Sequence, residues 1–209
     1  ALDLHSDAQA FGAEKKVVIL VGPGVLRSEG GFGMTMNLLD LLLITGKLTK
    51  AGCGLAPLAE ENNEQGAYEM GGTGAALAGG ISLGDPIGRE HLSKAWGRPI
   101  PDTPGSSLPQ MLEDAQQGKL KALLVVGENP LASLPPSSGI HSALEKLELL
   151  VCQELFLTET AELAHVVLPA CSHAEKDGTF TNTEGHIQPV RKAIDLVGDS
   201  RPDWEVFSA

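Results

Sequence analysis

An α/β fold with a mostly parallel, Rossmann-like sheet is predicted by three observations. Four aliphatic runs, KKVVILVG (15–22), KALLVVG (121–127), LELLVCQE (147–154) and HVVLPA (165–170), are short and continuous, as strands buried in a parallel sheet are. The last three alternate with segments of helical character. Each run stops at Gly, Pro or a polar turn. Strand and helix alternating at this pitch is the pattern of βαβ units.

Taken in order, Lys15–Gly22 is expected to be a strand buried on both faces, ended by Gly-Pro-Gly. Gly33–Thr45 is expected to be a largely buried helix, because five leucines crowd most of its sides, and Gly46 stops it. Residues 46–106 read as a long Gly-rich irregular insertion with one short helix at 88–96, a length that usually marks a functional loop. Leu108–Gln117 is a helix, 121–127 a strand, and Ser138–Leu147 a helix with a serine cap. Then come a strand at 147–154, a short helix at 157–164 and a strand at 165–170. Residues 171–199 read as loop, and Pro202 opens a further helix.

With 209 residues, 42% hydrophobic and 20% charged, the composition is that of a globular chain organised as one α/β domain over 1–209. A net charge of −12 argues against a nucleic-acid partner and against an anionic membrane surface. No apolar run reaches the roughly 18–20 residues that span a bilayer. Cys53, Cys152 and Cys171 are too few and too far apart for a disulfide framework or a C-x-x-C metal site, which suits a reducing, cytoplasmic compartment. The chain starts without Met and stops just inside a helical pattern, so a piece of a larger polypeptide is expected.

Candidate binding residues follow the strands. VVGENPLA (125–132) leaves one strand through Gly127, Glu128, Asn129 and Pro130. Ligands of open parallel sheets sit past the carboxyl ends of the strands, where Gly127 permits close approach and Asn129 and turn amides can hold phosphate or ribose oxygens. QELFLTETA (153–161) leaves the next strand and offers Gln153, Glu154, Thr158 and Thr160 at the same edge. Each turn alone is equally an ordinary helix cap or turn initiator. His173, Glu175, Asp177 and His186 lack the spacing of known zinc motifs, and no nucleophile elbow is present, so neither a metal ligand nor a catalytic residue is assigned.

In order, VGPGV, LLLITGKLTKAGCG, PLAEENNEQGAYEMG, VVGENPLA, VCQELFLTETAELAHVVLPA and EKDGTFTNTEGHIQPVRKAI resemble the molybdopterin oxidoreductase family over about residues 15–209. The chain is similar to formate dehydrogenase catalytic subunits and, more closely, to the large iron–sulfur subunit of complex I, the NADH:quinone oxidoreductase. The resemblance implies a three-layer αβα domain in which Gly127–Pro130 and Gln153–Thr160 contact a molybdopterin guanine dinucleotide. It also implies iron–sulfur clusters held elsewhere in the subunit. In formate dehydrogenases the segment matching 57–72 carries Arg-Gly-Gln where this chain has Ala59, Glu60 and Glu61, and the family's Glu-Gly-Arg is here Glu184-Gly185-His186. Losing a guanidinium and gaining two carboxylates disfavours formate. The expectation is therefore a scaffold domain of a respiratory complex I subunit, non-catalytic alone and peripheral to the inner membrane through its partner subunits. The alternative is the cofactor-binding part of a molybdenum or tungsten oxidoreductase such as a formate dehydrogenase.

Overall fold

The computed structural model describes residues 3–209, a mixed α/β chain with small parallel and antiparallel sheets that divides into two compact units. The first comprises residues up to Ala67 together with Phe180–Gln188; the second comprises Tyr68–Thr179 and Pro189–Ala209.

In the first unit a helix α1 (Leu4–Ala13) precedes β1 (Val18–Val21), a single turn α2 (Pro23–Leu26), α3 (Gly31–Ile44) and β2 (Gly54–Pro57). β1 and β2 pair in parallel, Val18 opposite Gly54 and Val21 opposite Pro57. The expected strand and helix are both present, but the expected burial is not. Val18 and Leu20 are 59% and 63% exposed, and along α3 only Gly31 and Leu42 are buried. A two-stranded sheet offers too little surface to cover so apolar a helix. Lys47 ties α1 down: its buried ammonium donates to the Gly12 carbonyl at 3.2 Å and lies 5.3 Å from the centre of the Phe11 ring. A lysine at a helix's last carbonyls satisfies acceptors that no backbone amide reaches.

The polar run 57–72 is more structured than its composition suggests. Asn63, at φ 64°, is the one non-glycine with positive φ among the described residues. Its Oδ1 accepts from the buried Thr181 N–H at 2.8 Å, fastening the run to the segment 180–188. Gly66, in α4 (Glu64–Glu69), is buried under that amide, and a Cβ there would lie 2.2 Å from Asn63 Oδ1. Arg27 pairs with Glu60 in the same unit.

The irregular insertion expected at 46–106 contains more structure than its sequence advertises. Besides β2 and α4 it holds an antiparallel hairpin, β3 (Ala76–Leu77) and β4 (Ile81–Ser82), and α5 (Pro86–Trp96). Two-residue strands have no readable periodicity; only Gly79 and Gly80, both at positive φ, mark the turn. α5 begins where Asp85 accepts from the Ile87 N–H and Pro86 fills the first helical position, and it ends at left-handed Gly97.

The second unit is built on a parallel sheet in the order β5 (Ala122–Val126), β6 (Leu149–Glu154), β7 (Val166–Pro169), with Val125 opposite Cys152 and Cys152 opposite Val167. α6 (Leu108–Gln116) and α8 (Ile140–Glu145) set Leu112, Ala115, Ile140, Ala143 and Leu144 against Val125, Leu150 and Cys152. A single-turn α7 (Pro130–Ser133) and α9 (Glu159–Leu163) complete the crossovers. Leu124 and Val126, expected to be buried, are exposed, because the helices cover one face of the sheet only. The segment 171–199, expected to be loop, carries β8 (Gly178–Thr181) and β9 (Ile187–Val190), which pair with each other. α10 (Asp203–Ser208) follows Pro202 as expected.

Glu175 organises the turns around it. Its carboxylate accepts from Ser172 N–H at 2.7 Å, Val197 N–H at 2.8 Å and the Ser200 hydroxyl at 3.3 Å. The Ser172 amide contributes most to lowering its pKa from the ordinary 4.5 to about 2. The stabilisation from this group is thus complete above its unfolded value and lost as pH falls through about 2. In chemical denaturation from pH 5 down to 2, Glu175→Gln is expected to lower stability most at the upper end and to converge on the parent at the lower. In the first unit, Gly66→Ala is expected to displace Asn63 and to cost about 1–3 kcal/mol in urea unfolding.

Candidate functional site

Two turns leave the carboxyl edge of the second unit's sheet side by side. β5 and β6 are parallel and in register to their ends, Val126 opposite Gln153, so the chain exits both at the same level. Gly127 continues the ladder by donating its N–H to the Gln153 carbonyl at 2.9 Å, then turns at φ 60°. A Cβ at Gly127 would meet nothing within 4 Å, so its backbone borders open space.

Asn129 joins the turns. Its Nδ2 donates to Glu159 at 2.7 Å, and its Oδ1 accepts from the Thr160 hydroxyl at 2.7 Å and the Thr160 N–H at 3.3 Å. The fully buried Thr160 hydroxyl accepts in turn from Leu131 N–H at 3.3 Å. Asn129, followed by Pro130, is the last residue before α7; Thr158 precedes α9 and accepts from Ala161 N–H at 3.3 Å. The Asn129 hydrogen bond, chiefly, holds Glu159 below its ordinary pKa. Glu128 accepts from the Ser133 hydroxyl at 2.7 Å, and Glu154 from the Leu155 N–H at 2.7 Å.

Of the eight residues singled out by sequence, the structure therefore gathers all at one sheet edge and gives most of them internal work. Asn129, Thr158 and Thr160 spend their side chains fixing the turns. Gln153 differs. It is fully buried, its Nε2 donates to Asp203 Oδ1 at 2.7 Å, and its Oε1 has no partner among the described residues. The other Asp203 oxygen pairs with Lys176. Sequence reading missed Lys176 and Asp203, which lie 23 and 50 positions beyond Gln153. The one available signal was their place in polar turns, EKDG after β7 and RPDW at the start of α10. Burial raises the pKa values of the Cys152 and Cys171 thiols, so neither is an activated nucleophile.

A cavity of about 760 Å³ lies elsewhere in this unit, among α7, α8 and α9, lined by Leu131, Ile140, His141, Glu159, Glu162 and Leu163 among others. None of the eight residues lines it. Glu175 and Asp177, weighed above as metal ligands, instead accept backbone amides of Val197 and Lys192.

Comparison with known proteins gives the class. The family described as "Molybdopterin oxidoreductase" matches residues 4–209, and the chain belongs to that family. It is 39% identical over 199 residues to F420-dependent formate dehydrogenase 1 subunit alpha of Methanococcus maripaludis, covering 95% of this chain and 29% of that one. It is 38% identical over 206 residues to NADPH-Fe(3+) oxidoreductase subunit alpha of Geobacter sulfurreducens, covering 99% and 24%. Acetylene hydratase from Pelobacter acetylenicus shares the fold, with a TM-score of 0.50 over 79% of this chain and 25% of that one, at 18% identity. The chain thus spans under a third of the length of these relatives. The relatives are oxidoreductase subunits, and their names favour the formate dehydrogenase-like reading of the sequence over the complex I reading.

Asn129→Ala is expected to leave the buried Thr160 hydroxyl without its acceptor and to lower stability by about 1–3 kcal/mol. Asn129→Asp, which places a carboxylate against Glu159, is expected to raise the Glu159 pKa, read by NMR titration of the Glu159 carboxyl.

Proposed function

We propose that residues 1–209 form one α/β piece, three-layered when whole, of a molybdenum or tungsten oxidoreductase related to formate dehydrogenases, and that this piece grips the nucleotide end of a molybdopterin guanine dinucleotide. The observation that carries the reading is the buried, unpartnered Gln153 Oε1 at the carboxyl edge of the sheet, beside the Lys176–Asp203 pair. A buried acceptor with no donor is costly unless a ligand supplies one. The residues fit the group. Gly127 leaves room for a ligand against the backbone, and Gln153 offers an acceptor to base or ribose. Glu128, Asn129, Pro130, Glu154, Thr158 and Thr160 hold the two turns in place.

The bound cofactor would supply the metal that exchanges electrons with substrate. This chain's own part is binding and orientation, and no residue in it is assigned to catalysis. Iron–sulfur clusters and partner subunits belong, on this reading, to the rest of the assembly.

One observation favours the second reading, a scaffold domain of a complex I large subunit held at the inner membrane by its partners. Ala59, Glu60 and Glu61 replace the Arg-Gly-Gln of formate dehydrogenases, and Glu60 is matched to Arg27 rather than left to meet an anionic substrate.

Metal analysis of the whole protein, with guanosine monophosphate measured after acid hydrolysis, separates the two. Molybdenum or tungsten with guanosine monophosphate is expected; absence of both overturns the first reading in favour of the scaffold. Gln153→Leu is expected to lower guanosine monophosphate content about tenfold, the order lost with one charge-free buried contact and its desolvation. An unchanged content would remove Gln153 from the site.

A further inference from the structure

The cavity of about 760 Å³ among α7, α8 and α9 has a ligand chemistry of its own, separate from that of the strand-end turns. It is walled entirely by residues between 131 and 163, so it belongs to the second unit alone. Crossover helices of six and five residues fall short of the usual three turns, and the space between them is left unfilled. Its apolar part is recessed. Leu131 and Leu163 are half-buried and pack against the core cluster, to which the buried Ile140 belongs. The other side chains that line it, Pro136, His141, Ser142, Glu159 and Glu162, are exposed. None of the large apolar side chains that this unit exposes lines the cavity. A surface for a second protein spreads over roughly 800 Å² on each partner. Apolar surface confined to a walled recess, with a few polar groups around it, is how small-molecule sites are built.

The polar groups select the charge of the occupant. Glu159, Glu162 and Leu163 stand at i, i+3 and i+4 of α9, which puts two carboxylates and an apolar side chain on one helical face. Among the described residues neither carboxylate takes part in an ion pair. Asn129 Nδ2 donates to Glu159 Oε2, which orients that carboxylate and favours its ionised form. His141, on α8, is set against Glu145 at 3.3 Å instead. Residues 122–170 hold six glutamates against one lysine, Lys146, and its ammonium is spent on the Gln116 carbonyl at 2.8 Å. A phosphate or carboxylate ligand would therefore meet two like charges and no cation. A metal ion would need more ligands, and no group of three ligating side chains occurs among the described residues.

We propose that this cavity binds a small organic cation, an amine or guanidine carrying an aliphatic or aromatic body. Glu159 and Glu162 hold the charged end, and Leu131, Ile140 and Leu163 receive the body. The site is distinct from the one proposed for the cofactor, and neither reading depends on the other.

The test titrates the whole protein, at neutral pH and by calorimetry, with phenylbutylamine, phenylbutanol and phenylbutyrate, which share one body and differ in charge. The amine is expected to bind at least about tenfold more tightly than the alcohol, and the acid not measurably. Methylammonium, the charge without the body, is expected to bind at least about tenfold more weakly than phenylbutylamine. Glu162→Gln and Glu159→Gln are each expected to weaken the amine about threefold and to leave the alcohol unchanged, a split that misfolding would not produce. Glutamine at 159 keeps an oxygen for Asn129, so the turns stay fastened. Equal binding of amine and alcohol, or of the amine by the parent and both variants, overturns the proposal. So does methylammonium bound as well as phenylbutylamine, which marks cations gathering on an acidic surface. Failure of the whole protein to take up the amine overturns it too, because another part of the polypeptide or a partner then fills the recess. Cofactor content, measured separately, is expected to be unchanged in Glu162→Gln.

Discussion

Two parallel strands ending at the same level set the terms for the rest of the second unit. Because β5 and β6 are in register to Val126 and Gln153, the chain must turn twice within a few ångströms, and both turns carry polar groups that cannot be buried unpaired. Asn129 settles this by serving both turns. One amide side chain accepts from the Thr160 hydroxyl and N–H and donates to Glu159, so the start of α7 and the start of α9 are held by the same residue. An aspartate of the same size could accept but not donate, and would set a second negative charge beside Glu159. The clasp fixes the two turns through contacts within the chain alone.

With the turns fixed, the remaining polar groups divide by whether their needs are met. Glu175 is fully occupied by Ser172, Val197 and Ser200, and its depressed pKa is the mark of a structural carboxylate. Gln153 is held at one end by Asp203 and open at the other. Two buried polar side chains of the same unit thus have opposite characters. A residue oriented by one partner and left one hydrogen bond short keeps an acceptor for a further donor, whereas one that is satisfied throughout has none to spare.

Much of this was legible in the sequence, and the losses have physical causes. The strands of 121–170 and the helices between them are recognisable because each is long enough to display a period and each ends at a breaker. The strand-end turns could be placed at one edge from topology alone, since parallel strands end together. Burial was overestimated at Val18, Leu20, Leu124 and the flanks of α3, because an aliphatic run shows that a surface is to be covered and not whether the cover lies within the same 209 residues. The hairpin β3–β4 was invisible, having two-residue strands. Lys176 and Asp203 were missed for a different reason: the meeting of Asp203 with both Gln153 and Lys176 depends on the path of the chain after β7, and no local pattern encodes a contact fifty residues away.

The departure from Arg-Gly-Gln at Ala59, Glu60 and Glu61 leaves membership of the family untouched. A guanidinium absent at position 59 is not simply lost from the unit, since Arg27 stands against Glu60, but an arginine committed to a neighbouring carboxylate has less charge to offer an anion. Glu61 and Glu64 remain exposed on the same run with no cation set against them in any ion pair of the described residues. On the proposed reading a cofactor-gripping piece and a run hostile to small carboxylates are compatible in one protein, because the two tasks would fall to different residues: Gly127, Gln153 and Asp203 for the first, 59–61 for the second.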